Sequence, residues 1–251
     1  MMEKMSKTAK KITAVILLLA IWQAAAMLLN QKILLASPAE VMIRLVTLWR
    51  EPEFTEAIAF SFIRIAGGFL IAFFLGIVLA VLAGKSEWIE ILLSPVMVTV
   101  KTVPVASFII IALVWLSSKK LSVFISFLMV LPVIYNNVLS GIKSIDTNMI
   151  QMADVYRIST RKRFKYISLP AIKPYLFSGT SIALGMAWKA GIAAEVIGIP
   201  DGSIGEMLFN AKVYLNTADL FAWTVIIVII SVCFEKAFMW ILRKSYDGYC
   251  H

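Results

Sequence analysis

Five stretches of this chain run apolar for the length of a membrane span, with no polar face recurring along them: Ile12–Leu29, Phe60–Ala83, Leu121–Gly141, Pro174–Ile197 and Leu220–Leu242. About 20 residues of helix, at 1.5 Å each, cross the ~30 Å hydrocarbon core of a bilayer. A sixth stretch, from Trp88 to Trp115, holds Pro95 and Pro104 and is expected to be kinked or broken. A broken helix at membrane depth must be covered by protein or line a cavity. Two shorter segments differ. In "SPAEVMIRLVTLW", Ser37, Pro38 and Glu40 form a capping box with proline at the first helical position. Val41, Leu45, Val46 and Leu48 then recur at near-helical spacing, so an amphipathic helix is expected to lie at the outer surface. "IPDGSIG" (199–205) reads as a turn, followed by a short amphipathic piece to about Leu215. The apolar runs are too long and too little alternating for a membrane β-barrel. The pattern predicts an all-α integral membrane protein with six transmembrane helices.

Composition agrees, because 61% of the 251 residues are hydrophobic, more than a soluble chain of this length can hide. The Ala24–Ala26 run would suit signal-peptide cleavage, but the preceding apolar stretch is span-length and further spans follow, so an uncleaved first helix is expected. The net charge of +9 changes the picture only through its placement. With six spans and both termini in the cytoplasm, the inner side collects Lys4, Lys7, Lys10, Lys11, Lys85, Lys143, the six basic residues of 157–173, Arg243 and Lys244. The outer side holds Lys32, Arg44, Arg50, Lys119, Lys120 and Lys212. That asymmetry follows the positive-inside rule and leaves no case for nucleic acid as a partner. Cys233 and Cys250 lack a pairing or metal pattern, and the single histidine is His251, so no cofactor or metal is expected.

The basic residues cluster in "QMADVYRISTRKRFKYISLPAIKP", 151–174, between the fourth and fifth spans. Asp146 or Thr147 starts a short helix that sets Met149, Met152, Ala153 and Tyr156 on one face. Ser159 caps a second, running through Phe164 and Ile167 and expected to stop at Leu169-Pro170. Two short helices at an angle make a knob with an apolar tip and a basic rim. Such a loop could merely set topology and touch anionic lipid. Its helical design points instead to docking on a cytosolic partner.

The segment resembles the EAA loop of binding-protein-dependent ABC importer permeases. That pattern is Glu-Ala-Ala, three residues, Gly, nine residues, then Ile-x-Leu-Pro. Ile167, Leu169 and Pro170 match its end and Ala153 its second alanine. Gln151, Met152 and Arg157 stand where glutamate, alanine and glycine are usual. An Arg at the glycine position must adopt a left-handed conformation, at about 1 kcal/mol, or turn differently. "SPAEV", "SFIRIAGGFLIAFFLGI", "VKTVPVASF" and "GMAWKAGIAAEVIG" are similar to segments of the nitrate/sulfonate/taurine branch, so the likeness covers about Ser37 to Lys244. It implies a type I (MetI-like) permease fold. It also implies a second permease copy, two ATPase subunits gripping the loop, an extracytoplasmic substrate-binding protein, and a place in the bacterial cytoplasmic membrane. Residues 1–36 would be the cytoplasmic tail and first span, 37–251 the permease domain, and 146–170 its coupling loop, with Gln151, Met152, Ala153, Tyr156, Arg157, Ser159, Ile167, Leu169 and Pro170 as coupling residues.

The chain is not expected to hydrolyse ATP itself. Gly84-Lys85-Ser86 is a fragment of a phosphate-loop pattern, but Leu79 occupies the place of its first glycine and a span, not a strand, precedes it. Intramembrane charge needs a partner or a cavity. Lys101, Lys189 and Glu195 are the candidates for a translocation path, with the two lysines attracting an anionic solute such as a sulfonate, nitrate, taurine or bicarbonate; interhelical ion pairing or snorkelling to the interface is the competing role. Arg64 and Glu235 are the other such charges, Glu235 being structural. Gly67, Gly68, Gly76 and Gly185 suit close helix packing, with Gly185 and Gly191 as candidate bending points. Trp22, Trp49, Trp88, Trp115 and Trp223 are expected as interface anchors. A secondary transporter or channel, or a membrane scaffold, are the other function classes; the former would want inverted repeats or a matched pair of broken spans.

Overall fold

The computed structural model describes residues 7–29, 31 and 33–250. Lys4, Lys32 and His251 lie outside the described residues. Eleven α-helices and one π-helical turn follow one another, with no strand among the described residues. They are α1 (Lys7–Leu29), α2 (Pro38–Leu48), α3 (Pro52–Lys85), α4 (Glu87–Thr102), α5 (Val105–Leu113), α6 (Ser118–Lys143), α7 (Thr147–Val155), α8 (Thr160–Arg163), the π turn (Phe164–Ser168), α9 (Leu169–Gly198), α10 (Ile204–Val213) and α11 (Thr217–Cys250). Helices α1, α3, α6, α9 and α11 are long and apolar enough to cross a membrane, α9 together with the turn and α8 before it. The sixth candidate is the pair α4–α5, bent by 101° at Val103-Pro104 as the prolines predict.

The core is a bundle of α3, α6 and α9, with α6 packed between the other two. Its design is a set of small residues four apart. Gly68, Ala72, Gly76 and Ala80 are buried on α3, and Gly179, Ala183, Ala187 and Gly191 on α9. In lipid, where water cannot drive helices together, small residues let backbones approach and gain dispersion contacts. The approach is close enough that a β-carbon at Gly76 would lie 3.0 Å from Ile134, and one at Gly179 would lie 2.6 Å from the Asn137 Cβ. Gly191 is packed in the same way against Ile65 and Ser126. Gly67 and Gly185 have open space at the β-position.

Residues 143–168 mark one end of the bundle and 199–205 the other; we name these the loop end and the turn end. At the turn end the Ser37–Glu40 capping box forms as predicted, with the Glu40 N–H donating to Ser37 Oγ at 3.3 Å and the Ser37 N–H to Glu40 Oε2 at 3.1 Å. Val41 and Leu48 face inward while Met42, Ile43 and Val46 face outward. Arg44 ties α2 to α11 through Asp219 and reaches Glu51 at 2.7 Å. Its hydrogen bond to Asp219 holds the guanidinium protonated above its ordinary range. Two tryptophans are not the anchors expected. Trp223 is buried against Phe54, and Trp22 donates its indole N–H to the Ala36 carbonyl at 3.1 Å while meeting Phe221, which helps to fasten α1. Trp49, Trp88 and Trp115 are exposed.

Candidate functional site: the loop at 146–170 and the cleft above it

The loop begins where α6 ends. Asp146 accepts from the Asn148 N–H at 2.8 Å and so starts α7. At the other end of α7 the Ile158 N–H donates to the Ala153 carbonyl at 2.8 Å and the Arg157 N–H to the Asp154 carbonyl at 3.0 Å. These two bonds are a Schellman motif, which needs a left-handed residue between them. Arg157 is that residue, at φ 49°. The chain therefore keeps the turn that a glycine would make and accepts the steric cost of a β-carbon there.

The exposed tip is apolar. Met149, Met152, Val155 and Tyr156 all face outward, with Gln151 and Arg157 beside them. Ala153, expected on the same face, is instead 1% exposed and points inward. Arg163 reaches back to Asp154 at 2.8 Å, tying the second helix to the first. Ser159 occupies the N-cap position of α8, yet its hydroxyl makes no capping bond.

The second helix does not stop at Leu169-Pro170. It continues through the π turn into α9, so Thr160–Gly198 is one helical rod. The cause is Pro170. Its ring excludes the carbonyl four residues back from ordinary α geometry, and it has no N–H to give. Widening the preceding turn, with the Leu169 N–H bonded to the Phe164 carbonyl five residues back, removes the clash without breaking the helix. Ile167, Leu169 and Pro170 are thus the joint between loop and span.

Above the loop, α4 and α6 enclose a cleft of ≈ 150 Å³ lined by Glu90, Ser94, Met97, Val98 and Lys101 from α4 and by Tyr135, Asn136 and Leu139 from α6. Its loop end is bridged by Lys143 Nζ to Glu90 Oε1 at 2.6 Å. Of the predicted path residues only Lys101 lines this cleft. Lys189 is exposed on α9. Glu195 is fully buried at the turn end, where its Oε2 accepts from Ser61 Oγ at 2.6 Å and from the Gly205 N–H at 3.4 Å. Ser61 Oγ in turn accepts from the Ile204 N–H at 3.0 Å, so one carboxylate fastens α10 to α3 and α9. The structure does not bring the three together.

A family model described as binding-protein-dependent transport system inner membrane component matches residues 72–244, from the middle of α3 into α11. The chain belongs to that family. It is an ABC transporter permease of the nitrate/sulfonate/taurine branch, with the all-helical MetI-like fold. A Bacillus subtilis (strain 168) protein named as an aliphatic sulfonates transport permease, SsuC, is 27% identical over 242 residues, covering 92% of this chain and 86% of its own. The nitrate import permease protein NrtB of Synechococcus elongatus (strain ATCC 33912 / PCC 7942 / FACHB-805) is 31% identical over 207 residues, 77% of this chain and 72% of its own. The taurine transport system permease protein TauC of Escherichia coli (strain K12) is 25% identical over 238 residues, 92% and 86%.

Arg64 and Glu235, the other two intramembrane charges singled out from the permease sequence, are each hydrogen-bonded. Arg64 donates to the Lys119 carbonyl at 2.6 Å over the Phe60 ring, and Glu235 accepts from Ser181 at 2.6 Å, the structural role expected of it. Sequence reasoning passed over Glu90, Ser94, Tyr135 and Asn136. Glu90, Ser94, Met97 and Lys101 recur at helical spacing and could have been read as a stripe. Nothing in the sequence says that Tyr135 and Asn136 of another span face it.

Proposed function

We propose that this permease is the membrane subunit of an ABC importer that moves a small anion into the cytoplasm. Two partner ATPase subunits dock on 146–170 from the cytoplasm, where both termini also lie, and two copies of the permease pair in the membrane. A substrate-binding protein delivers solute at the turn end. The reading rests on the loop: an apolar tip of Met149, Met152, Val155 and Tyr156, a rigid left-handed turn at Arg157, and a helix continuous with α9 that turns a push on the tip into movement of a span. The names of the relatives, which specify aliphatic sulfonates, nitrate and taurine, support an anionic or sulfonate-bearing solute. Lys101 and the exposed Lys189 are the cations proposed to draw it along the path. Glu195, enclosed by its partners, is proposed to hold the turn end together and not to meet solute. Cysteine at Val155, tested with a membrane-impermeant thiol reagent, is expected to react only in inside-out vesicles and to be shielded when the ATPase is bound. Reaction from outside, or ATP-independent uptake by the chain alone in liposomes, would replace this reading with a secondary transporter or channel.

A further inference from the structure

Helix α11 is longer than a span needs. Its 34 residues make a rod of about 51 Å, against the ~30 Å of the hydrocarbon core. It starts at the turn end, where Asp219 is held by Arg44, and its last turns reach the loop end, where it packs against the π turn. Tyr246 there is half-buried, although α11 ends only one turn later. It rests on the base of α9. Lys173 Nζ stands 4.1 Å from the centroid of the Tyr246 ring and 5.8 Å from that of Phe177, and the two rings meet edge to face at 6.1 Å. Lys173 and Phe177 are four residues apart, so they share one face of α9. The face about a third of a turn round is taken by α6: a β-carbon at Gly141 would lie 3.2 Å from Ile172 Cα and 3.1 Å from Tyr175 Cβ. The base of α9 is thus held from two sides immediately beyond the joint at 167–170. A helix passes on a push from the loop tip only where its foot cannot slip sideways. Helix α6 blocks one direction of slip, and the end of α11 blocks the other.

We propose that the end of α11 is a brace for the joint between loop and span, with Tyr246 as the positioning residue that keeps the base of α9 in place through its contacts with Lys173 and Phe177. The inference rests on the permease reading, since it requires an ATPase pushing on 146–170. The test uses the complete transporter, permease with its ATPase and substrate-binding protein, in proteoliposomes, and follows uptake of nitrate, methanesulfonate and taurine together with ATP hydrolysed. Tyr246→Ala is expected to lower uptake per ATP about fivefold, the lower edge of usual coupling between sites, while hydrolysis continues. Tyr246→Phe keeps the ring that both contacts use and is expected to hold the wild-type ratio. Lys173→Met is expected to act in the same direction as Tyr246→Ala. Combining those two is expected to lower the ratio no further than Tyr246→Ala alone, because each removes the same contact. A wild-type ratio in Tyr246→Ala, even with both rates reduced alongside the thermal midpoint, would make the ring merely structural and overturn the brace. So would a Tyr246→Phe variant as uncoupled as Tyr246→Ala, or fully additive losses in the double variant. No ATP-dependent uptake of any of the three solutes by the wild-type complex would instead overturn the anion-importer reading beneath it.

Discussion

Arg157 and Glu195 show how much a single residue settles here. Among the described residues the three non-glycine residues with positive φ, Arg157, Ile199 and Leu215, all follow helix ends. Leu215 repeats the Schellman pattern of Arg157, with the Asn216 N–H on the Ala211 carbonyl at 2.8 Å and the Leu215 N–H on the Lys212 carbonyl at 3.2 Å. Glycine at either position relieves the β-carbon, so Arg157→Gly and Leu215→Gly should each stabilise the detergent-solubilised permease by about 0.5–1 kcal/mol. A thermal melt measures this, and a fall in midpoint for both would mean that the αL backbone is not the source of cost. Glu195 behaves oppositely. Glu195→Ala strips the acceptor from the Ser61 hydroxyl and the Gly205 N–H and leaves a cavity, an expected loss of about 2–4 kcal/mol. Glu195→Gln keeps an acceptor and should lose under about 1 kcal/mol in the same melt. From sequence, Arg157 could be named because a motif marked its place. The hydrogen bonds of Glu195 could not be read from sequence because its partners sit 134 and 10 residues away in the chain.

Spans were legible for a physical reason: the bilayer demands continuous apolar length, and continuous length survives as a one-dimensional signal. Facing did not survive. The four-residue spacing of Gly68, Ala72, Gly76 and Ala80 is in the sequence, but α3 is apolar all round, so no polar face reveals which side packs. Leu169-Pro170 was misread as a stop because in water proline ends helices. Within a rod spanning 160–198 the freed geometry is absorbed by the π turn. That turn carries a prediction. Pro170→Ala restores an N–H for ordinary α bonding, so the widened turn can close, rotating Thr160–Arg163 by about 100° relative to α9. The fold should persist, while transport per ATP hydrolysed falls about tenfold, within usual coupling energies of about 1–3 kcal/mol. Unchanged coupling in reconstituted vesicles would show that the π turn does not set the phase of the loop.

Across the whole molecule, the rigid and the movable parts separate. Helices α3, α6 and α9 are cemented by small residues, whereas α4 and α5 meet at a 101° break and α4 rests against α3 and α6 alone among the larger contacts. The Glu90–Lys143 bridge joins that looser helix to the rigid core, and Lys143 stands in the last turn of α6, just ahead of α7. The bridge therefore links the start of the loop to the looser helix, beside the direct connection through α9. Because Lys143 is largely exposed, the bridge contributes little to stability, at most about 1 kcal/mol, and Glu90→Gln should shift a thermal melt only slightly. Its effect should appear instead in the coupling of ATP hydrolysis to uptake, since the bridge closes the cleft at the end facing the loop. Glu90→Gln and Lys143→Gln should each raise hydrolysis in the absence of solute, and the charge-exchanged pair Glu90→Lys with Lys143→Glu should bring it back toward the wild-type rate. If the exchanged pair remains as uncoupled as either single variant, the bridge is a surface contact and the cleft is gated elsewhere.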